Sequence, residues 1–214
     1  IKINSALRTC GYDLINMLHD LGVEVMADLK LNDISNTMAT DAEILTEFKP
    51  KLLTVMCSTG IEGMSQVQKT LDGITEVLGV TVLTSLDRGS CQDIYGCPPA
   101  EGVIRFAQMA KVAKLGGLVL SGQEVAIVKD QRGLKNLSLN VPGIRPTWSI
   151  ISGDDQKRIM TPKEAILAGA NRIVVGRPIL TAGPNEGFFP DSPLEAVKWT
   201  LAEIEEALAS MTTT

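Results

Sequence analysis

The sequence has one histidine among 214 residues, and this scarcity excludes several kinds of site. His19 stands beside Asp20 in the amphipathic stretch 12–21, a pattern that indicates the surface of a helix rather than a catalytic position. Catalytic triads that depend on histidine and histidine-rich metal sites are therefore not expected.

Cysteine usage, charge and hydrophobic runs exclude further classes of protein. The four cysteines have no zinc-type spacing and are too sparse for a secreted disulfide scaffold, so we expect free thiols. The formal net charge of −5 leaves no basic stripe for nucleic acid and no polybasic membrane patch. No apolar run is long enough to span a bilayer, and no signal segment opens the chain. We therefore expect a cytoplasmic protein that holds any anionic ligand with local basic groups.

The sequence does contain short apolar strands that alternate with helical patterns, which is typical of a parallel sheet with crossover helices. With 44% hydrophobic residues and no linker or low-complexity segment, residues 1–214 are predicted to form a single domain. The predicted strands are 1–4, 23–30, 52–56, 77–84, 117–121, 137–141 and 172–176. The predicted helices are 8–21, 36–49, 62–71, 99–115, 122–129, 161–170 and 192–209.

Seven strands suggest a (β/α)8 TIM barrel that is one unit short, because such a barrel has eight strands and typically about 250 residues. Segment 1–4 already has a strand pattern with no preceding turn. We therefore predict that the first βα unit is missing from the front of this sequence. An open doubly wound sheet is the alternative, but no glycine-rich dinucleotide turn follows an early strand.

A charged group stands at the end of the second predicted strand. Asp28 and Lys30 alternate along strand 23–30 and should share one face, while Lys2 should point the same way and Asp33 follows in the loop. These four side chains would form a set with zero formal charge, which a pocket of low dielectric can accommodate. Such a set could hold Lys30 protonated as a general acid toward a carbanion. A salt bridge at the rim of the sheet is the alternative.

The exits of the last two predicted strands suggest a phosphate site, since barrels commonly bind phosphate there. Arg145 closely follows a glycine after the penultimate strand, and Gly176 with Arg177 ends the last one. The loop 147–158 is long and polar enough to bring Gln156 onto the ligand. Either arginine alone could be an ordinary surface residue. Thr84 and Ser85 offer hydroxyl groups at the exit of strand 77–84.

Segment 28–37, Asp-Leu-Lys-Leu-Asn-Asp-Ile-Ser-Asn-Thr, resembles the Asp-x-Lys-x-x-Asp-Ile-x-Asn-Thr signature of the orotidine 5′-phosphate decarboxylase family. The Pro-Gly-Ile-Arg-Pro turn at 142–146 is similar to a turn of the same family. Further matching segments follow in the family's order, at 83–85, 117–124, 155–162 and 175–178. The resemblance thus extends over nearly the whole chain, from Lys2 to Pro178.

The resemblance implies decarboxylation of orotidine 5′-monophosphate to UMP and CO2 in de novo pyrimidine biosynthesis, without a metal or organic cofactor. It implies that Asp28 and Lys30 face the substrate carboxylate and C6, with Lys30 as proton donor and Lys2 completing the charged network. It further implies a homodimer with shared active sites, in which Asp33 and Thr37 reach the partner's site. The residues implied to bind the phosphate are Arg145, Gln156, Gly176 and Arg177, and those implied to bind the pyrimidine are Thr84 and Ser85.

Three positions depart from the family's usual pattern. Asn32 and Met56 stand where histidine is common, and Ser35 stands where proline is usual. None of these changes removes a charged catalytic group, whereas a missing first strand would remove an aspartate that contacts the ribose in the family. Two alternatives therefore remain beside the decarboxylase: an inactive nucleotide-binding relative, and a magnesium-dependent sugar-phosphate lyase or decarboxylase of the same superfamily.

Overall fold

The computed structural model describes residues 1–149, 159–183 and 190–212. All seven predicted strands are present within this part of the chain. They are β1 (Lys2–Ile3), β2 (Met26–Leu31), β3 (Leu52–Met56), β4 (Glu76–Val80), β5 (Gly117–Val119), β6 (Ser138–Val141) and β7 (Arg172–Ile173). β3 has the predicted bounds, whereas the other strands are one to three residues shorter than predicted, and β2 is also shifted toward the carboxyl end.

The helices largely follow the prediction as well. They are α1 (Ser5–Cys10), α2 (Asp13–Asp20), α3 (Ser35–Phe48), α4 (Gly60–Thr70), α5 (Arg88–Tyr95), α6 (Pro99–Val112), α7 (Val125–Lys129), α8 (Pro162–Ala168), α9 (Arg177–Leu180) and α10 (Pro193–Thr212). Short 3-10 turns occupy Cys57–Thr59, Gly122–Glu124 and Thr147–Ser149.

The prediction of one helix over 8–21 is wrong, because Gly11 divides that stretch into α1 and α2. Gly11 has φ 78° and ψ 177°, a combination that closes the first helix and that side-chain-bearing residues rarely adopt. Its amide donates to the carbonyl of Leu7, which satisfies one of the last acceptors of α1.

Two further helices were not predicted from the sequence. α5 begins after Asp87, whose carboxylate accepts hydrogen bonds from the Ser90 amide and hydroxyl at 2.9 Å each. β4 accordingly ends at Val80 rather than at residue 84, and the chain between β4 and α5 is a loop. The other helix, α9, begins at Arg177. The strand predicted over 172–176 ends earlier, at Ile173.

The chain divides into two units with many internal contacts. The first comprises Ile1–Thr81, Glu101–Val119 and Gly133–Leu137, and the second comprises Val82–Ala100, Leu120–Arg132 and Ser138–Thr214.

In the first unit, β1 to β5 pair in chain order, and every pair is parallel. Its core is apolar and includes the fully buried Ile15, Met38, Leu53, Met64 and Leu78. Because all five strands run the same way, their carboxyl ends meet at one edge of the sheet, and the polar residues of β2 and β3 collect there.

In the second unit, β6 and β7 are parallel and pair Asn140 with Arg172 and Val141 with Ile173. α8 has the predicted start: Thr161 and Glu164 form a reciprocal capping box and Pro162 is the first helical residue. α8 and α10 pack together, as expected for neighbouring helices with apolar faces. No helix in the described ranges combines the length and apolar composition needed to cross a membrane.

Candidate active site

The candidate site is built around one buried carboxylate, Asp28 on β2. Only 8% of its side chain is exposed. The Lys2 ammonium of β1 donates to Oδ2 at 2.9 Å, and the Lys30 ammonium donates to Oδ1 at 2.7 Å and to Oδ2 at 2.8 Å. The structure therefore brings together three of the four charged residues that the sequence placed in one set.

The ionisation of Asp28 is determined by two opposing effects. Burial by itself raises the pKa of the carboxyl, whereas hydrogen bonds from Lys30 and Lys2 and their positive charges lower it. The pairing outweighs the burial, so the pKa of Asp28 lies below its ordinary value. Asp28 is consequently an anion at neutral pH, held between two cations.

Asp33 does not join this group within the described part of the chain, which corrects the expectation of a four-membered neutral set. It lies one loop beyond β2, is exposed, and its carboxylate accepts the amide of Ile34 at 2.7 Å. The reason is that the loop turns to start α3, so the alternation of side chains along β2 no longer applies. Lys2, Asp28 and Lys30 together carry a formal charge of +1, which favours an anionic ligand.

Sequence reasoning missed Thr54, a fully buried residue of β3. Its hydroxyl accepts the backbone amide of Lys30 at 2.9 Å and donates to Oδ1 of Asp28 at 2.9 Å. A threonine in an apolar strand is an ordinary feature of sequence. Its one available signal was the two-residue alternation along β3, which places Thr54 on the opposite face from the buried Leu53 and Val55, a pattern that many strands share.

Lys30 also has an unusual backbone. Its φ is 52°, in the left-handed region that residues with a side chain seldom occupy, and the β2–β3 register shifts between Ala27 and Leu31. β2 thus carries a bulge at the position of the lysine, a feature that often re-aims a side chain beside an active site.

The loops that follow β2 and β3 are joined by hydrogen bonds. The Thr59 hydroxyl donates to the carbonyl of Asp33 at 2.8 Å, and Ser58 donates to the Asn32 side chain at 3.4 Å. Asn32 is one of the three departures from the family pattern, and here its amide oxygen is engaged by the neighbouring loop. Thr37 is exposed in the first turn of α3.

The predicted phosphate and pyrimidine residues belong to the second unit, except that Gln156 lies outside the described residues, as does most of loop 147–158. Arg145 is only 6% exposed, and its guanidinium donates to the carbonyl of Ile144 at 3.1 Å. It is therefore not a surface arginine. Gly176 immediately precedes α9, and Arg177 is the exposed first residue of that helix.

Thr84 and Ser85 lie in the loop between β4 and α5, with Thr84 half-buried and Ser85 exposed. Thr84 is not the last residue of the strand as predicted, because β4 ends four residues before it. A loop position leaves both hydroxyl groups at the carboxyl end of a parallel strand, where barrel enzymes hold polar ligands.

The profile described as the orotidine 5′-phosphate decarboxylase / HUMPS family matches residues 1–187. The chain belongs to this family.

Curated orotidine 5′-phosphate decarboxylases are similar to the chain over most of its length. The protein of Pseudomonas paraeruginosa is 38% identical over 191 residues, which are 85% of this chain and 79% of that protein. The protein of Geotalea daltonii is 37% identical over 211 residues, 95% of this chain and 84% of that protein. These matches confirm the family that segment 28–37 indicated.

Among solved structures, the orotidine 5′-phosphate decarboxylase of Lactobacillus acidophilus is similar with a TM-score of 0.77 and 29% identity. The match covers 95% of this chain and 85% of that one. The predicted (β/α)8 barrel class is confirmed by this likeness, and the open doubly wound sheet is set aside.

Proposed function

We propose that this member of the family decarboxylates orotidine 5′-monophosphate to UMP in pyrimidine biosynthesis, with Lys30 as the proton donor. The observation that carries the proposal is the buried Asp28 carboxylate, which holds the Lys30 ammonium at 2.7 Å inside the family's signature segment. The proposal is further supported by curated relatives that are named as orotidine 5′-phosphate decarboxylases and match most of the chain. The proposal includes the cytoplasmic location that was expected from the sequence.

The reaction needs one bond broken and one proton delivered. The bond between C6 and the carboxylate breaks, its electron pair stays on C6, and CO2 leaves. An N–H proton of the Lys30 ammonium then forms the new C6–H bond, and Lys30 regains a proton from solvent. Asp28 orients the Lys30 ammonium, and Lys2 binds the same carboxylate. The proton donor is therefore already in place when the carbanion forms.

The residues of the second unit are proposed to bind the remote parts of the substrate. Arg145, Gln156, Gly176 and Arg177 hold the phosphate, and Thr84 with Ser85 hold the pyrimidine. The exposed position of Arg177 supports this role, since a guanidinium group suits phosphate. Binding energy from the phosphate, far from C6, would then contribute to the rate as well as to affinity.

A homodimer with shared sites is also proposed. Asp33 and Thr37 are both exposed in the protomer, and Ile34 between them is 72% exposed. Their exposure leaves the Asp33 and Thr37 side chains accessible to a second copy of the chain. Asp33 and Thr37 would then contact the substrate bound by the partner.

The experiment that tests the function is the loss of ultraviolet absorbance of orotidine 5′-monophosphate, followed with a chelator present and with CO2 release measured in parallel. The unmutated protein should turn over, and Lys30→Ala should lower kcat by at least about 10²- to 10⁴-fold, the usual worth of a positioned proton donor. Lys51→Ala is the matched control, because Lys51 is 57% exposed and pairs only with the exposed Glu24 among the described residues.

Two results would overturn the proposal. No absorbance change with the unmutated protein would leave an inactive nucleotide-binding relative. Activity that the chelator abolishes would indicate the metal-dependent lyase or decarboxylase instead.

A further inference from the structure

We propose that Thr54 is a positioning residue for the reaction: its hydroxyl fixes both the Asp28 carboxylate and the backbone from which Lys30 projects. This inference rests on the proposed function of the Asp28–Lys30 pair. The Thr54 side chain has no charge. It lies outside the signature segment 28–37 and is not among the site residues predicted from the sequence.

The direction of the hydrogen bonds follows from chemistry alone. A backbone N–H can only donate, so the Lys30 amide, 2.9 Å away, must donate to Thr54 Oγ1. A hydroxyl has one proton, and the ionised Asp28 carboxylate at 2.9 Å is an acceptor for it. The Thr54 proton is thereby directed at Asp28, and its lone pair is directed at Lys30. Both bonds are shielded from water, since Thr54 is fully buried.

The second observation is the backbone of Lys30 itself. Within the described residues three non-glycine residues have positive φ: Lys30, Lys49 and Lys114. Lys49 is the left-handed residue that closes α3, and Lys114 lies just beyond α6, where such a conformation commonly ends a helix. Lys30 alone among them lies within a strand. A strained residue persists when its surroundings hold it, and the Thr54 hydroxyl supplies the hydrogen bond for its amide.

The bulge in β2 allows the side chains of Asp28 and Lys30 to meet. The register shift between Ala27 and Leu31 turns the Lys30 amide to a side chain of β3 instead of a backbone carbonyl. The Lys30 ammonium then reaches both oxygens of Asp28, at 2.7 and 2.8 Å. The Thr54 hydroxyl on β3 therefore forms hydrogen bonds with both members of the pair. Its removal would take one hydrogen bond from the Asp28 carboxylate and one from the Lys30 backbone amide.

The role makes a prediction about pH, because a hydrogen bond to the ionised carboxyl favours that form. The charged groups that contact Asp28 in the described part of the chain are Lys2 of β1 and Lys30 of its own strand, and β3 contributes Thr54. Removing the Thr54 hydroxyl leaves both lysines in place. The pKa of Asp28 should therefore rise, though the pair persists.

Thr54→Val is the decisive variant, since valine keeps the shape of threonine and lacks the hydroxyl. We expect kcat for orotidine 5′-monophosphate to fall by about 10- to 100-fold, as for a misplaced reacting group, with KM changed much less. The acidic limb of the kcat profile should move to higher pH. Thr54→Ser keeps the hydroxyl and should restore most of kcat and the original limb.

Thr75→Val is the matched control, because Thr75 is also a buried threonine of the same unit. Its hydroxyl donates to the Pro50 carbonyl at 2.7 Å, at the amino end of β4 and away from the charged group. This variant should lose stability in urea while kcat and the pH profile stay within about twofold, the scatter expected for a site without shared partners.

The readouts separate a positioning role from a structural one. A Thr54→Val protein with unchanged kcat and an unchanged acidic limb would overturn the inference, and so would losses that Thr75→Val reproduces at equal loss of stability. If Thr54→Val does not fold, Thr54→Ala in the same assays takes its place.

The inference can also fail or survive independently of the proposed function. The carboxyl signal of Asp28, followed by NMR against pH, reports its pKa without any turnover. If the unmutated protein does not decarboxylate orotidine 5′-monophosphate, the proposed function fails, and a raised pKa of Asp28 in Thr54→Val still supports the positioning geometry. An unchanged pKa would contradict it whatever the activity.

Discussion

The Lys30 ammonium binds both carboxylate oxygens of Asp28, two residues earlier on the same strand, at 2.7 and 2.8 Å. Neighbouring side chains on one face of a regular strand run side by side, and here the bulge at Lys30 lets them converge. The carboxylate is shared with Lys2 at 2.9 Å, so one buried anion organises two cations from two strands.

Replacing Asp28 by asparagine should reduce both activity and stability. Asparagine keeps the shape of the carboxylate, but Lys2 and Lys30 would then face each other with no anion between them. Because each lysine side chain is about a third exposed, solvent screens part of this repulsion, and we expect a loss of about 2 kcal/mol at neutral pH. Urea unfolding of both proteins measures the difference, and equal midpoints would contradict the stabilising role of the pair.

The stability difference between the unmutated protein and Asp28→Asn should depend on pH in one direction. The pKa of Asp28 is lower in the folded protein than its ordinary value of 3.8, so its contribution is complete above that value. It is lost as the pH falls through the folded pKa, where the carboxyl becomes protonated. Urea midpoints measured from pH 7 downward should converge below about pH 4. A difference that grows toward acid would have the wrong sign.

Replacing Arg177 by alanine should weaken the binding of phosphorylated ligands selectively. Loss of a charged hydrogen bond to phosphate costs about 1.5 to 3 kcal/mol, or about 10- to 100-fold in Kd. Calorimetry should show this loss for UMP and almost none for uridine. Arg132→Ala is the control, since Arg132 is an exposed arginine in the turn after α7. Equal losses for UMP and uridine would remove Arg177 from the phosphate site.

Mixing two inactive variants tests the shared site. Lys30→Ala and Asp33→Ala should each be inactive alone. If Asp33 serves the partner's substrate, a mixed dimer has one site lacking both residues and one intact site, so refolding the variants together should restore about a quarter of the activity. If Asp33 serves its own subunit, every site in the mixture lacks one residue and no activity returns. Sedimentation of each variant verifies that both still form dimers.

Much of the fold could be predicted because its signals are local. Alternation of short apolar strands with helical patterns identified all seven strands, and the helix predicted over 161–170 is present as α8. The bounds were less accurate where a local pattern continued past the structure that uses it. The apolar run after Val80 leaves the strand to form a loop before α5, because what ends a strand is the loss of its neighbours, not its own composition.

The charged site was predictable for a similar reason. Two-residue alternation placed Asp28 beside Lys30, and parallel strands placed Lys2 nearby. Asp33 was grouped with them because the same spacing was extended into a loop, where it no longer determines which way a side chain points.

The sequence by itself determined the order of the strands and of most helices, the signature segment and hence the family, because these depend on residues close together in the chain. Only the tertiary structure decided that Thr54 lies between Asp28 and the Lys30 amide, and that Lys30 occupies a bulge with positive φ. Those features arise where β2 and β3 meet, 24 and 26 residues apart in sequence. A hydrogen bond over that separation leaves no periodic pattern in either strand, and it exists only once the sheet has brought the two together.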